Sequence, residues 1–476
     1  MNPSSTLFSS ICGQIIDAEG EKSKRIIEID NKTGLITKVS PLDTNHTPQI
    51  GQLICSDEEI IMPGMVDVHI HAREDETKLH NYKETYLTAL NAALNGGVVK
   101  VAAMPNTPSP LTTLEQLNWH NNAVAQLKHP VQLINYIGIG PGTKPLARGK
   151  YLYKLYTGPS VGKLFFKSAD EIENALKFYR GENISFHVED FEVLALHKAA
   201  ETHSKRRPEK CVTHALGYLL PLIEKYDIQA KLCHWPMGGE SLTQILEHKK
   251  RMDHKSLGYN TTLEVSPMHL YFDEGMLEQR PDLWPYLQMN PALRSKELRL
   301  SLIEALKNGV IDFLATDHAP HTLDEKFVNF SEYCQPGDVT NEMAYLRLRD
   351  SDPELCAEIS KKDGVSGASW LDTYATAAFN LTEEFGLGLD DLLRITARNA
   401  GNFLRPYLDQ SKHGLGYGEI KAGYKANFTI VNSEQYTTVS RSDIKSKCGW
   451  SPLENKRLRG KLTRTIIGGV SYSSSI

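Results

Sequence analysis

The sequence predicts an α/β chain folded as a TIM-type (β/α)8 barrel, with a small β domain assembled from both termini. Between Met62 and Leu404, short apolar runs alternate with longer helical patterns, the texture of parallel strands joined by right-handed crossovers. Eight such units are present, enough to close a barrel, whereas an open doubly wound sheet needs only about five or six. Strand texture without a convincing helix fills the start of the chain and returns after Gly414.

In chain order, Ile26–Ile29 and Leu35–Val39 flank a turn at Asp30–Gly34. The eight candidate barrel strands are Met65–His69, Val98–Ala103, Val131–Ile137, Tyr151–Tyr156, Ile184–Val188, Gln229–His234, Gly258–Val265 and Ile311–Asp317. Thr112 with Glu115, and Ser168 with Glu171, have capping-box spacing; the second pair precedes the amphipathic run Ile172, Ala175, Leu176 and Tyr179. Ala426–Val431 and Thr463–Gly468 supply the returning strands. The expected division is therefore 1–62 and 408–476 for the β domain and 63–407 for the barrel.

Composition narrows the function. The 476 residues carry 53 Lys plus Arg against 58 Asp plus Glu, a net charge of −5, which argues against a nucleic-acid partner. With 40% apolar and 23% charged residues the chain is ordinary globular material. Its seven cysteines are scattered and form no C-x-x-C pair, so they read as reduced thiols of a cytoplasmic protein and not as a zinc cluster. The apolar stretch Leu7–Ile16 is too short to span a bilayer and is interrupted by Ser9, Ser10 and Gly13, so neither a membrane partner nor an export signal is expected.

The chemistry begins at His69-Ile70-His71, where the first candidate strand ends. Residues i and i+2 on a strand face one side, so both imidazoles can converge on one cation. Chance pairing is the rival explanation in a chain with 17 histidines. Other strand ends carry similar residues: His187, Glu189 and Asp190 at the fifth, His234 at the sixth, and Asp317 and His318 at the eighth. Each alone reads as a satisfied histidine or a loop carboxylate. Together they predict a polar mouth at the carboxyl end of the strands, where barrels keep their active sites. Four histidines and one aspartate suit zinc or a related ion, not calcium or magnesium. Five ligands exceed what one tetrahedral catalytic ion needs, so two ions and a bridging anion are expected.

These residues belong to an ordered series: HIHARE at 69–74, MPNT at 104–107, KLY at 154–156, FHVED at 186–190, LCHW at 232–235, NPALRS at 290–295 and TDHAPHT at 316–322. The series resembles that of the dihydroorotases, in the amidohydrolase superfamily, over about Val39 to Val470. The resemblance implies two Zn2+ ions, one held by His69, His71 and Asp317 and the other by His187 and His234, bridged by a carboxylated Lys154. Lys163 and Lys167, beside similar apolar residues, remain alternatives for the bridge. It also implies reversible cyclisation of N-carbamoyl-L-aspartate to L-dihydroorotate in pyrimidine biosynthesis, by a metal-bound hydroxide with Asp317 as general acid and base, and a homodimer. Arg73, Asn106 and His321 are the expected clamp on the substrate carboxylate. Asn290 is a further candidate, although NPALRS could serve chiefly as a turn, and Arg73 alone could be a surface ion pair. Two departures stand out: Met268, where relatives often have histidine, and Asn427, where many have aspartate.

Rival readings are another cyclic-amide hydrolase (a dihydropyrimidinase, hydantoinase or allantoinase) and a non-catalytic scaffold for aspartate carbamoyltransferase, which would be free to lose the six ligand positions filled here. The segment Leu323–Glu342, poor in periodic apolar residues, reads as either a lid over the site or a surface excursion.

Overall fold

The computed structural model describes residues 6–16, 20–43, 46–159, 161, 164–253 and 261–475. The barrel strands in order are Met65–Ile70, Val98–Ala103, Gln132–Asn135 running on through Tyr136 into Ile137–Ile139, Tyr153–Tyr156, Asn183–His187, Gln229–Leu232, Thr261–Val265 and Phe313–Leu314. Each pairs in parallel with the next. The ring closes where Ile70 bridges His318 in parallel and His71 N donates to His318 O at 2.7 Å. Asp67, on the first strand, adds side-chain closure by accepting from Thr316 N at 3.2 Å and Thr316 Oγ1 at 2.5 Å. Every residue of Met65–Ile70 and Val98–Ala103 is buried, as expected of strands covered on both faces.

Several strands are shorter than the sequence suggests, and backbone geometry explains why. The sixth stops at Leu232 and the eighth at Leu314; His234 and Asp317 then take left-handed φ values of 36° and 49°, which no strand can continue through. The beginning of the expected strand Gly258–Val265 lies outside the described residues, and Thr261–Val265 is its described part. One helix start shifts by a residue. Leu114–Gln126 is capped by Thr113, whose Oγ1 accepts from Gln116 N, while Gln116 Oε1 accepts from Thr112 N at 2.9 Å and Thr113 N at 3.1 Å. Ser168 caps Ala169–Leu176 as expected, but the Glu171 carboxylate accepts from Lys167 N at 2.8 Å instead of completing the box.

Both termini build one sheet. Its order is Thr6–Leu7, Val470–Ser473, Arg457–Ile467, Phe428–Thr438, Glu59–Pro63, Ser10–Ile16, Lys22–Asp30 and Leu35–Pro41, with Gln52–Ile54 beside Ser10–Ile16. The N- and C-terminal strands meet where Glu59–Pro63 pairs with Phe428–Asn432. A separate apolar cluster, including Ile11, Ile27, Ile61, Phe428 and Ile466, fills one face. The sheet is spliced to the barrel through Met65 N, which donates to Thr429 Oγ1 at 3.0 Å. Asn427 sits at this joint and accepts from Gly468 N at 2.8 Å, a structural task for which an amide oxygen suffices. Among the described residues, no helix is long and apolar enough to cross a membrane.

Gly96 ends the helix Tyr86–Asn95 just before the second barrel strand, and a Cβ there would lie 1.9 Å from Leu371 O. Backbone cannot retreat as a flexible side chain can. Gly96→Ala is therefore expected to lower stability by about 2 kcal/mol or more, read as a lower urea midpoint at unchanged slope.

Candidate active site

Closure of the barrel brings the first and eighth strand ends together. Asp317 Oδ1 lies 3.1 Å from His69 Nε2 and 3.1 Å from His71 Nε2. These three side chains form a group whose ligand atoms could hold one cation. On the neighbouring strands, His187 Nδ1 lies 3.0 Å from His234 Nε2, and the His234 ring centroid is 5.4 Å from that of His69. Lys154, on the fourth strand, is fully buried beside them. Its Nζ donates to Cys233 Sγ at 3.1 Å and sits 5.0 Å from the Tyr156 ring centre, with no carboxylate in ion-pair range among the described residues. Of its rivals for the bridging position, Lys167 is exposed and Lys163 lies outside the described residues. Five of the six expected ligand residues thus line one cavity, with Lys154 buried next to them.

The outward nitrogens of three histidines are occupied. His69 Nδ1 donates to Glu264 Oε1 at 2.6 Å, His71 Nδ1 to Asn106 Oδ1 at 2.7 Å, and His187 Nε2 to Glu189 Oε2 at 2.9 Å. Each contact turns the opposite nitrogen inward, the arrangement that prepares an imidazole to be a ligand. Glu264 also accepts from His234 N at 3.1 Å and pairs with the buried Lys231; Glu189 pairs with Arg207. Burial pushes His69 and His234 well below the ordinary imidazole range and His71 below it, so all three are neutral donors of lone pairs. Neutral imidazoles around one carboxylate are a donor set suited to a divalent first-row ion.

Glu264 was not singled out from the sequence, although an acid within the buried run Thr261–Val265 was a signal. Glu189 was seen but given no task. His318 points elsewhere: its Nδ1 accepts from Trp370 N at 3.2 Å and its Nε2 faces Glu84 at 3.2 Å, bracing the turn behind Asp317. Met268 is buried in the main apolar cluster.

A cavity of about 140 Å3 opens above this cluster. Arg73, Asn106, Asn290 and His321 all line it, and so does Tyr156, which sequence reading did not single out. Arg73 is only 5% exposed, which excludes the surface ion pair. Its Nη2 donates to His321 Nε2 at 3.3 Å, and its Nε has no partner. Burial pushes His321 down to about 3 against the opposing influence of Glu325, whose Oε2 lies 3.1 Å from His321 Nδ1. Among the described lining residues, Arg73 is the only permanent cation and Asp317 the only acid. The Asn290 Oδ1 and Tyr156 Oη atoms are buried without partners. Of the seven described non-glycine residues with positive φ, three (Arg73, His234 and Asp317) line this cavity. Backbone strain gathered at one place is a mark of function, because surrounding structure must be spent holding it.

Glu264→Gln preserves shape but weakens the hold on His69 Nδ1. Divalent-metal affinity, measured by competition with a chromophoric chelator, is expected to fall about 10- to 100-fold. Unaltered affinity would show that Glu264 does not prepare His69.

Comparison with known proteins agrees with this geometry. Residues 60–150 match the Amidohydrolase family model. The chain is 27% identical over 445 residues to a dihydroorotase of Thermococcus kodakarensis, covering 93% of this chain and 89% of the relative. It is 29% identical over 473 residues to a dihydroorotase of Bacillus subtilis, covering 96% of each. Among solved structures, the L-hydantoinase (dihydropyrimidinase) from Arthrobacter aurescens superposes with a TM-score of 0.79 at 20% identity, covering 99% of this chain and 97% of that one. A dihydropyrimidinase from Brevibacillus agri gives 0.72 at 17% identity, covering 99% and 95%. These last two likenesses show a shared fold. With these sequence relatives and the match over residues 60–150, the findings support a hydrolytic enzyme that resembles the dihydroorotases over most of its length.

Proposed function

We propose that the chain is a cytoplasmic dihydroorotase, which closes N-carbamoyl-L-aspartate to L-dihydroorotate with release of water, and reverses that step, in pyrimidine biosynthesis. Arg73 carries the reading. A buried guanidinium with an unpartnered Nε, facing a cavity whose far wall holds Asp317 and the histidines, suits a small substrate that keeps a carboxylate outside its reacting amide. His321 stands beside Arg73, and Asn106 lines the same cavity; both are assigned to complete the contact. Asn290 adds an acceptor for a substrate N–H.

His69, His71 and Asp317 are assigned to one zinc ion and His187 and His234 to a second. Lys154 is assigned as their bridge after carboxylation of its amine by carbon dioxide. The fit is chemical: a buried ammonium among imidazoles, with no carboxylate partner in range among the described residues, is costly, whereas a carbamate there is an anion with two oxygens. When bound, the ions supply Lewis acidity toward the amide carbonyl and an activated water near neutral pH.

The remaining work falls to side chains. Asp317 accepts a proton and returns it to the ring nitrogen as the amide C–N bond breaks; in the cyclising direction it takes that proton from the attacking ureido nitrogen. Glu325 and Lys83 hold His321 at its Nδ1, 3.1 Å and 3.3 Å away, which sets its Nε2 against Arg73 and keeps the guanidinium pointed at the substrate anion. The fold neighbours' names favour a second reading, hydrolysis of hydantoins or dihydropyrimidines. Such rings need no carboxylate clamp.

Arg73→Ala is expected to keep its metals, counted by elemental analysis, and to lose at least about 100-fold in kcat/KM for carbamoyl-aspartate cyclisation. Unchanged efficiency, or a preference for uncharged cyclic ureides in a substrate panel, would refute the assignment. Asp317→Asn should lower kcat by at least about 100-fold in both directions, followed as dihydroorotate formed or consumed.

A further inference from the structure

The segment after His321 is packed at its start, while much of 331–339 is exposed. It forms the helix Leu323–Lys326 and a tighter helical stretch, Val328–Tyr333. Phe327 and Phe330 are buried against Tyr345, Leu348 and Ile359, so the segment has its own apolar anchor. At the end of the first helix, Lys326 is turned inward and only 3% exposed. Its Nζ donates to three backbone carbonyls: Val365 O at 2.7 Å, Gly367 O at 2.9 Å and Gln288 O at 3.2 Å. An ammonium has three N–H bonds, and each has its acceptor. No carboxylate lies in ion-pair range of this nitrogen among the described residues, and the Trp450 ring centre is 5.9 Å away.

A methionine would fill such a space without carrying a charge out of water, so packing does not explain the lysine. The positions of its acceptors do. Gln288 immediately precedes Met289 and Asn290, and Val365 and Gly367 bracket Ser366. Met289, Asn290, Ser366 and Gly367 all line the cavity, whereas Lys326 does not. The two acceptor segments are also tied to each other, by Gly367 N donating to Gln288 O at 2.9 Å and Gln288 Nε2 donating to Gly364 O at 2.8 Å. Trp450 Nε1 donates to His321 O at 2.8 Å on the same side.

We propose that Lys326 is a positioning residue for the substrate, a three-way tie that makes the 288–290 wall, the 365–367 wall and the helix following His321 one rigid unit. The start of this segment is built into the frame of the cavity. The tie acts through its neighbours and touches no reacting atom, so it governs how the substrate is held more than how bonds change. Burial pushes the Lys326 ammonium down to about 7, against an opposing pull from the Glu325 charge.

This inference rests on the dihydroorotase reading for its substrate, and its test separates the two. Lys326→Met and Lys326→Gln holoenzymes would be assayed on carbamoyl-aspartate, with metal content measured alongside. KM is expected to rise about 10- to 100-fold while kcat stays within about threefold and both metals remain. A folded variant with unchanged KM, or one that loses kcat or metal instead, overturns the proposal. Native-state hydrogen exchange on the wild-type holoenzyme decides if neither variant folds: amides of 288–290, 326–330 and 365–368 should open with one shared free energy, and separate openings overturn the tie. A wild type that does not turn over carbamoyl-aspartate would defeat the dihydroorotase reading, leaving hydrogen exchange to judge the tie.

Discussion

The parallel bridge between Ile70 and His318 joins the first barrel strand to the last, and the site depends on that junction. Without it, the His69–His71 pair and Asp317 would lie at opposite edges of a sheet, separated by more than 240 residues of chain. With it, Asp317 Oδ1 is equidistant from two imidazole nitrogens. The Asp67 carboxylate reinforces the same seam from inside the barrel by holding Thr316. Ring closure, a requirement of the fold, is thereby also the step that assembles the chemistry. The left-handed turns at His234 and Asp317 belong to the same logic, since each ends strand pairing where a side chain must swing over the mouth.

Buried polar groups are tolerated here because they form partnered chains. Lys231 pairs with Glu264, which holds His69 and the His234 backbone; Arg207 pairs with Glu189, which holds His187. In a low-dielectric interior a complete chain of this kind is rigid, while a chain missing one member strands a charge. The acids behind the histidines therefore do two things at once. They balance buried cations and they choose which ring nitrogen faces inward. Burial does the rest by keeping the imidazoles neutral, so that lone pairs and not protons point at the shared space.

The opposite wall of the cavity follows a different principle. Arg73 supplies charge, but its surroundings are held largely by backbone: peptide carbonyls around Lys326, and the Gln288 side chain stitched to Gly364. One wall thus offers donor atoms of set tautomer and charge, and the other offers a shaped, polar frame around one guanidinium. The proposed substrate, a small anionic amide, would meet both needs at once, its carboxylate at Arg73 and its reacting carbonyl toward the histidines.

Much of this was legible in the residues themselves. Period and alternation announced the eight barrel strands and the two-ended β sheet, because strand burial on both faces demands continuous apolar runs and crossovers demand helices between them. His-x-His and the polar strand ends marked the mouth, because a strand repeats its facing every second residue. Glu264 was hidden because an acid inside an apolar strand has no local pattern; only closure of the barrel brings it to His69 and Lys231. Lys326 was hidden for the same reason, since its three acceptors are peptide groups, which every sequence contains. Residue type and order determined which chemistry this chain can carry. Which nitrogen faces inward and which lysine is buried were decided by contacts between distant segments, because hydrogen bonding and desolvation act through space and not along the chain.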